Sequence, residues 1–167
     1  MDEFLAYSYF QEYELPVTIV RLFNTVGANQ TGQYGMVIPT FVEQAIKNSK
    51  ISIYGNGKQT RCFCSVFDVV DALIKIMDNS SSIGEIINIG TNHEISINEL
   101  ANKIIKIANS NSKPFKIPYD EAYSPGFEDM MRRVPDISKA KKILGWEPNK
   151  NLDDIIISVI NYYSNSL

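Results

Sequence analysis

The run Pro16-Val17-Thr18-Ile19-Val20 leading into Arg21-Leu22-Phe23-Asn24-Thr25-Val26-Gly27 constrains this chain more than any other segment. Residues 17–21 carry four β-branched side chains and one charge, the composition of a strand covered on both faces, as in parallel sheets. Asn24 and Gly27 end the run. In an open parallel sheet, ligands sit just beyond the carboxyl ends of the strands, so Asn24 stands where a polar side chain can reach a ligand. The competing reading is that Asn24 closes a turn through its own backbone.

The remaining elements alternate. A Gly- and Gln-rich loop over 27–35 precedes an expected helix over 39–47, with Pro39 in its first turn. Residues 51–54 alternate as a half-buried strand, Gly55-Asn56-Gly57 signals a turn, and 61–66 reads as a second short strand. Asp68 is the expected cap of a helix over 69–79, with Asp71 three residues on. Strand 86–90 follows, then Ser96 as cap of helix 97–108 with Glu99 at its third position. A short strand over 115–118 leads to a polar, aromatic loop over 120–131, long enough to be a lid or binding segment. A helix over 139–144 is stopped by Gly145 and kept from resuming by Pro148, with Trp146 as anchor. The last helix, 152–163, carries Ile155, Ile156, Val159, Ile160 and Tyr163 at helical spacing, a core stripe. Strand, loop and helix in this order define an α/β protein.

At 167 residues there is room for one domain or for part of a larger one. A net charge of −3, with scattered basic residues, argues against a nucleic-acid partner, and the apolar runs are too short to span a bilayer. The expectation is a soluble, cytoplasmic protein with no membrane partner. Cys62 and Cys64 are too close in sequence for an ordinary disulfide and are expected as reduced, packed thiols. With His93 the sole histidine and no paired ligand spacing, no metal site is expected. Residues 2–10 form an amphipathic helix with Phe4, Leu5 and Ser8 on one side and no capping approach, like a helix cut in mid-course.

Four motifs in order, Arg21-Leu22-Phe23-Asn24, Tyr54-Gly55-Asn56-Gly57-Lys58-Gln59-Thr60-Arg61, Arg133-Val134-Pro135-Asp136 and Leu144-Gly145-Trp146-Glu147-Pro148, resemble the C-terminal half of an extended short-chain dehydrogenase. The similarity is to the nucleotide-sugar epimerase and dehydratase branch, and within it to UDP-glucuronate decarboxylases and UDP-glucose 4-epimerases. The resemblance implies the C-terminal part of an NAD(P)-binding Rossmann fold, with an incomplete parallel sheet, plus a small α/β substrate-binding domain. Residues 1–35 and 67–110 would belong to the first, and 36–66 and 111–167 to the second. It implies that Asn24 donates to a diphosphate, that Arg61 and Arg133 close on it, that Val37 and Ile38 lie by the nucleoside, and that Ser52 and Tyr54 meet the uracil. Phe23 would pack near the nicotinamide of NAD. Paired guanidinium forks suit a pyrophosphate; the competing reading makes Arg61 an ordinary strand-end ion-pair residue and Arg133 a solvated loop charge.

The sequence departs from the family at Ser65, where His is usual, and at Phe67, where an acidic or polar residue is frequent. It also lacks the Gly-rich dinucleotide loop, and its one Tyr-x-x-x-Lys spacing, Tyr54 to Lys58, falls across the Gly-Asn-Gly turn and not in the place of the pair that the family uses to abstract a proton as hydride moves to NAD. The expected function is therefore the substrate-binding half of an NAD-dependent UDP-sugar epimerase, decarboxylase or dehydratase, with no catalytic residue of its own. Its partners would be a nucleotide sugar and either a second copy, paired through the first helix, or a complementing N-terminal polypeptide. Two other readings stand beside it: a non-catalytic nucleotide-sugar-binding or scaffold protein, and an inactive product whose strand 17–23 presents an unpaired, aggregation-prone edge.

Overall fold

The computed structural model describes residues 1–30, 32, 36–122 and 129–165, so parts of the two expected loops, 27–35 and 120–131, lie outside the described residues. In chain order the elements are α1 (Asp2–Tyr13), β1 (Ile19–Leu22), β2 (Thr25–Val26), α2 (Val37–Ile46), β3 (Ile51–Tyr54), β4 (Thr60–Cys62), β5 (Cys64–Ser65) and α3 (Val66–Met77). A 3-10 turn at Ser80–Ser82 leads to β6 (Ile86–Ile89), β7 (Glu94–Ser96), α4 (Ile97–Ile107), β8 (Pro114–Ile117), α5 (Tyr119–Ala122), α6 (Ser138–Leu144) and α7 (Leu152–Ser164).

Four strand pairs form. β1 runs parallel to β6, β2 to β5 and β3 to β8, while β4 is antiparallel to β7. The Gly-Asn-Gly turn is present, with Gly55 and Gly57 both at positive φ, but it separates β3 and β4 into different pairs instead of joining them as a hairpin. An added Cβ at Gly55 would fall 2.3 Å from the Tyr119 ring, so glycine there serves both the left-handed backbone and the seat of Tyr119.

Apolar burial divides in two. One cluster gathers α2, β3, α4 and α7 through residues such as Ile38, Phe41, Ile53, Leu100 and Ile156. The other gathers β6, α3 and α6 through Ile87, Ile89, Ala72, Ala140 and Trp146, with Val20 of β1 packed against it. Against the expected partition, α4, within 67–110, and Val26, within 1–35, join the core of β3, while Cys64, within 36–66, and α6 with Trp146, within 111–167, join the core of β6. The amphipathic face of α4 fits a helix laid on a sheet, and its strand neighbours are β3, β7 and β8.

Several local expectations are corrected. β1 is not covered on both faces: Ile19 and Val20 are half-buried, Arg21 and Leu22 exposed. The face that α1 turns toward the body holds Glu3, Ala6 and Phe10, whereas Phe4, Leu5 and Ser8 are exposed. Phe10 abuts Gly84, and both oxygens of Glu3 accept from Arg21. α3 starts earlier than expected, capped by the Ser65 hydroxyl, which accepts from the Phe67 N–H. Asp68 is instead buried inside the first turn, where its carbonyl accepts from the Trp146 indole at 3.1 Å and its carboxylate from the Lys150 N–H at 3.0 Å. A short acidic side chain at a helix start can serve either purpose, and serine takes the cap here.

The expected caps, core stripe, proline position and thiol state agree with the fold. Ser96 and Glu99 form a complete capping box, Gly145 ends α6 in the left-handed conformation, and the α7 stripe is core. Pro39 lies in the first turn of α2, where no intrahelical N–H is required. Cys62 and Cys64 are free and buried, and desolvation holds the Cys64 thiol pKa up at about 12. Among the described residues there is no cluster of three or more metal-ligating side chains, and no helix is long and apolar enough to cross a membrane.

Candidate functional site

β1 ends in a turn that presents Asn24. Its φ of +26° is one that asparagine tolerates better than most side chains. Its amide does not fold back on its own backbone; Nδ2 donates to the Cys62 carbonyl at 2.8 Å, and Oδ1 accepts from Arg133. Asn24 therefore both turns the chain and ties β1's end to β4. Among the described residues, one hydrogen of Nδ2 remains for a further acceptor.

Beyond this point lies a cavity of about 370 Å³, within the range of small-molecule sites. Of the expected residues, Asn24, Val37, Ser52, Tyr54, Arg61 and Arg133 all line it. Two do not. Ile38 is turned into the first core at 1% exposure, because successive residues at the start of α2 face different sides. Phe23 packs against Gly90 at the end of β6, with its N–H donating to the Ile89 carbonyl at 3.0 Å.

The walls follow from strand geometry. Ser52 and Tyr54 lie two apart on β3, whose Ile51 and Ile53 alternate into the core. Gln44 of α2 grips Ser52 twice, accepting from its N–H at 3.0 Å and donating to its hydroxyl at 2.8 Å. The Ser52 N–H is thereby engaged inside the protein.

Opposite, the stretch 130–132 lies along β4. Thr60 N–H donates to the Met131 carbonyl at 2.9 Å, and Thr60 and Arg132 form a parallel bridge. Arg132 binds Glu94 at 2.6 Å, and with the Thr60 hydroxyl it holds the Glu94 carboxyl below its usual range. This attachment places Asp129 and Arg133 at the cavity. Arg61 is largely buried: one terminal nitrogen donates to the carbonyls of Thr60 and Met130, both at 2.7 Å, and the other donates to Asp129. Arg133 is exposed and reaches the cavity through Asn24.

The cavity also holds Gln59, Tyr119 and Asp129, which sequence reasoning did not single out. Gln59 is 6% exposed and donates to the Tyr54 carbonyl at 3.2 Å and to the Tyr119 hydroxyl at 3.0 Å. That hydroxyl donates to Asp129 at 3.0 Å. Two signals pointed toward these residues: Gln59 stands inside the Gly55–Arg61 motif, and Asp129 inside the polar loop read as a binding segment.

A parallel strand pair joined across a helical connection, with a cavity of paired arginines and an amide past a strand end, defines an α/β protein of the kind that binds ligands at strand termini. Residues 1–159 match the family model described as GDP-mannose 4,6 dehydratase, and the chain belongs to this family of short-chain dehydrogenase-type nucleotide-sugar enzymes. A UDP-N-acetyl-alpha-D-glucosaminuronate decarboxylase of Bacillus cytotoxicus is 41% identical over 150 residues, covering 89% of this chain and 46% of that protein. UDP-glucuronic acid decarboxylase 1 of Danio rerio is 34% identical over 165 residues, covering 99% of this chain and 38% of that protein. Among solved structures, the UDP-glucuronic acid 4-epimerase of Bacillus cereus, in complex with UDP-glucuronic acid and NAD, superposes with a TM-score of 0.87 at 25% identity, over 99% of this chain and 50% of that one. The Thermotoga maritima UDP-glucose 4-epimerase, solved with UDP-glucose, gives 0.88 at 28% identity, over 98% and 51%. The chain thus spans less than half the length of these curated relatives and shares the Rossmann-type α/β fold of the solved ones.

Proposed function

We propose that the cavity holds the nucleoside diphosphate end of a nucleotide sugar, a UDP-sugar by preference, as the substrate-binding part of an NAD-dependent decarboxylase or epimerase. The observation that carries this reading is the convergence of Asn24, Arg61 and Arg133 with Ser52 and Tyr54 in one cavity. Arg133 and Asn24 offer charged and neutral donors to the diphosphate, with Arg61 behind them, a combination suited to a doubly charged planar-recognised group. Val37 and Tyr54 provide apolar and aromatic surface for the nucleoside. Curated relatives named as decarboxylases at 41% and 34% identity support decarboxylation over epimerisation.

NAD fits this chain only at one margin. Phe23, at the end of β1 beside Gly90, is the side chain it would offer, and the Gly-rich loop that cradles a dinucleotide is absent from the sequence. The chemistry that NAD would supply there is reversible hydride transfer with the sugar, without net oxidation. The cradle for NAD and the Tyr/Lys pair would come from polypeptide other than these residues. This chain's share of catalysis is to fix the sugar by its nucleotide end. We further propose that the two apolar clusters mark two modules, the β3-centred one binding nucleotide and the β1/β6-centred one completing a Rossmann sheet.

Calorimetric titration of the chain with UDP tests the reading. UDP should bind, more weakly as salt rises, and Arg133→Ala should weaken it by roughly tenfold, about 1.4 kcal/mol. Binding that is indifferent to Arg133→Ala would overturn the assignment.

A further inference from the structure

The two arginines of the cavity are held differently. Among the described residues, Arg133 is exposed and bonded only to a neutral amide oxygen, whereas Arg61 has 14% of its side chain exposed and is anchored at three points. Its ion-pair partner, Asp129, is itself fixed at both oxygens, one by Arg61 and the other by the Tyr119 hydroxyl. Tyr119 is seated over Gly55 and accepts from Gln59, which also holds the Tyr54 carbonyl. A continuous polar relay therefore runs from the strand that faces the nucleobase to the guanidinium that faces the diphosphate.

A carboxylate beside a cation in an anion site can act in two opposite ways. It can compete, occupying the cation until the ligand expels it, or it can position, holding the cation so that its other edge meets the ligand. A competing carboxylate should be loosely held. Asp129 has each oxygen engaged by a donor that is itself fixed, and among the described residues the Arg61 Nε–H has no partner, which leaves that edge of the guanidinium to an acceptor in the cavity.

We propose that Asp129 is a positioning residue for the diphosphate: held on its far side by the Tyr119 hydroxyl, it orients Arg61 toward the phosphates. This rests on the nucleotide reading above and adds to it a residue that acts without touching the ligand. The cost of placing a negative charge near a diphosphate is offset by a guanidinium that needs no reorganisation when the ligand arrives.

The test compares UDP with uridine, which lacks the phosphates, on the same chain. Asp129→Asn should weaken UDP by roughly tenfold while leaving uridine unchanged, and should have no further effect on UDP in an Arg61→Ala background. Tyr119→Phe, which keeps the ring over Gly55, should weaken UDP in the same direction by a smaller factor. Equal or tighter UDP binding by Asp129→Asn would make Asp129 a competitor and overturn the proposal. So would parallel losses of UDP and uridine in both variants, which would mark a structural role alone. Failure of the unsubstituted chain to bind UDP is a separate outcome, and it overturns the nucleotide reading itself.

Discussion

β3 and β1 are both four-residue strands with a single parallel partner, yet they stand in opposite surroundings. Ile51 and Ile53 of β3 are wholly buried, while Arg21 and Leu22 of β1 are exposed. The difference lies in what covers them. β3 is packed by α2 and α4, whose apolar stripes close over it. β1 has the second cluster on one side and lies near α1, none of whose residues is buried. A β-branched run states that a strand can be covered on both faces, and does not state that the same 167 residues supply the cover.

The largest contrast should come from paired truncations. Ile53→Ala should cost about 2–5 kcal/mol in urea unfolding, as expected for a filled core site, and Leu22→Ala, at 53% exposure, should stay within about 0.5 kcal/mol. Equal losses would break the comparison.

Thiol labelling sharpens it. With the Cys64 pKa near 12 against an ordinary 9.0, its thiolate fraction at pH 8 is lower by roughly a thousandfold. Alkylation of the native chain should be correspondingly slow, and fast in denaturant. Because the folded pKa is raised, the stabilisation from the buried thiol is complete below about pH 9 and is lost as pH rises from there toward 12. Cys64 belongs to the cluster beneath β1 and β6, so local opening of that side should label Cys64 before Cys62.

A smaller effect is expected at the α4 cap. Ser96→Ala should destabilise by about 1 kcal/mol. The Ser96 hydroxyl and N–H hold the Glu99 carboxyl below its usual range, so this cap's contribution is present above the unfolded carboxylate pKa and is lost as pH falls through the lower folded value. The pH dependence of unfolding should flatten on the acid side in the variant.

Much of the fold was legible because it rests on local chemistry. The capping box at Ser96 and Glu99, the glycine stop at Gly145 and the α7 stripe each follow from residues a few positions apart. Asp68 was misread for the complementary reason: its partners, Trp146 and Lys150, come from about eighty residues away, and no local pattern reports them. The site divides likewise. Asn24, Arg61 and Arg133 stood out as polar residues after strand-like runs or inside recognisable motifs. Gln59 and Asp129 carry only the signal of the motif and the loop that contain them, and Tyr119 carries none until 55–61, 119 and 129 are brought together in space. The family resemblance implies Ile38 at the nucleoside together with Val37, but one step along a helix start turns Ile38 into the core.

The most direct test of the account is amide hydrogen exchange on the chain with and without UDP. Added protection should appear around 52–61 and 129–133, with none in 2–15 or 86–89. Protection centred on β1, β6 and α1 instead would contradict the claim that the β3 side holds the nucleotide.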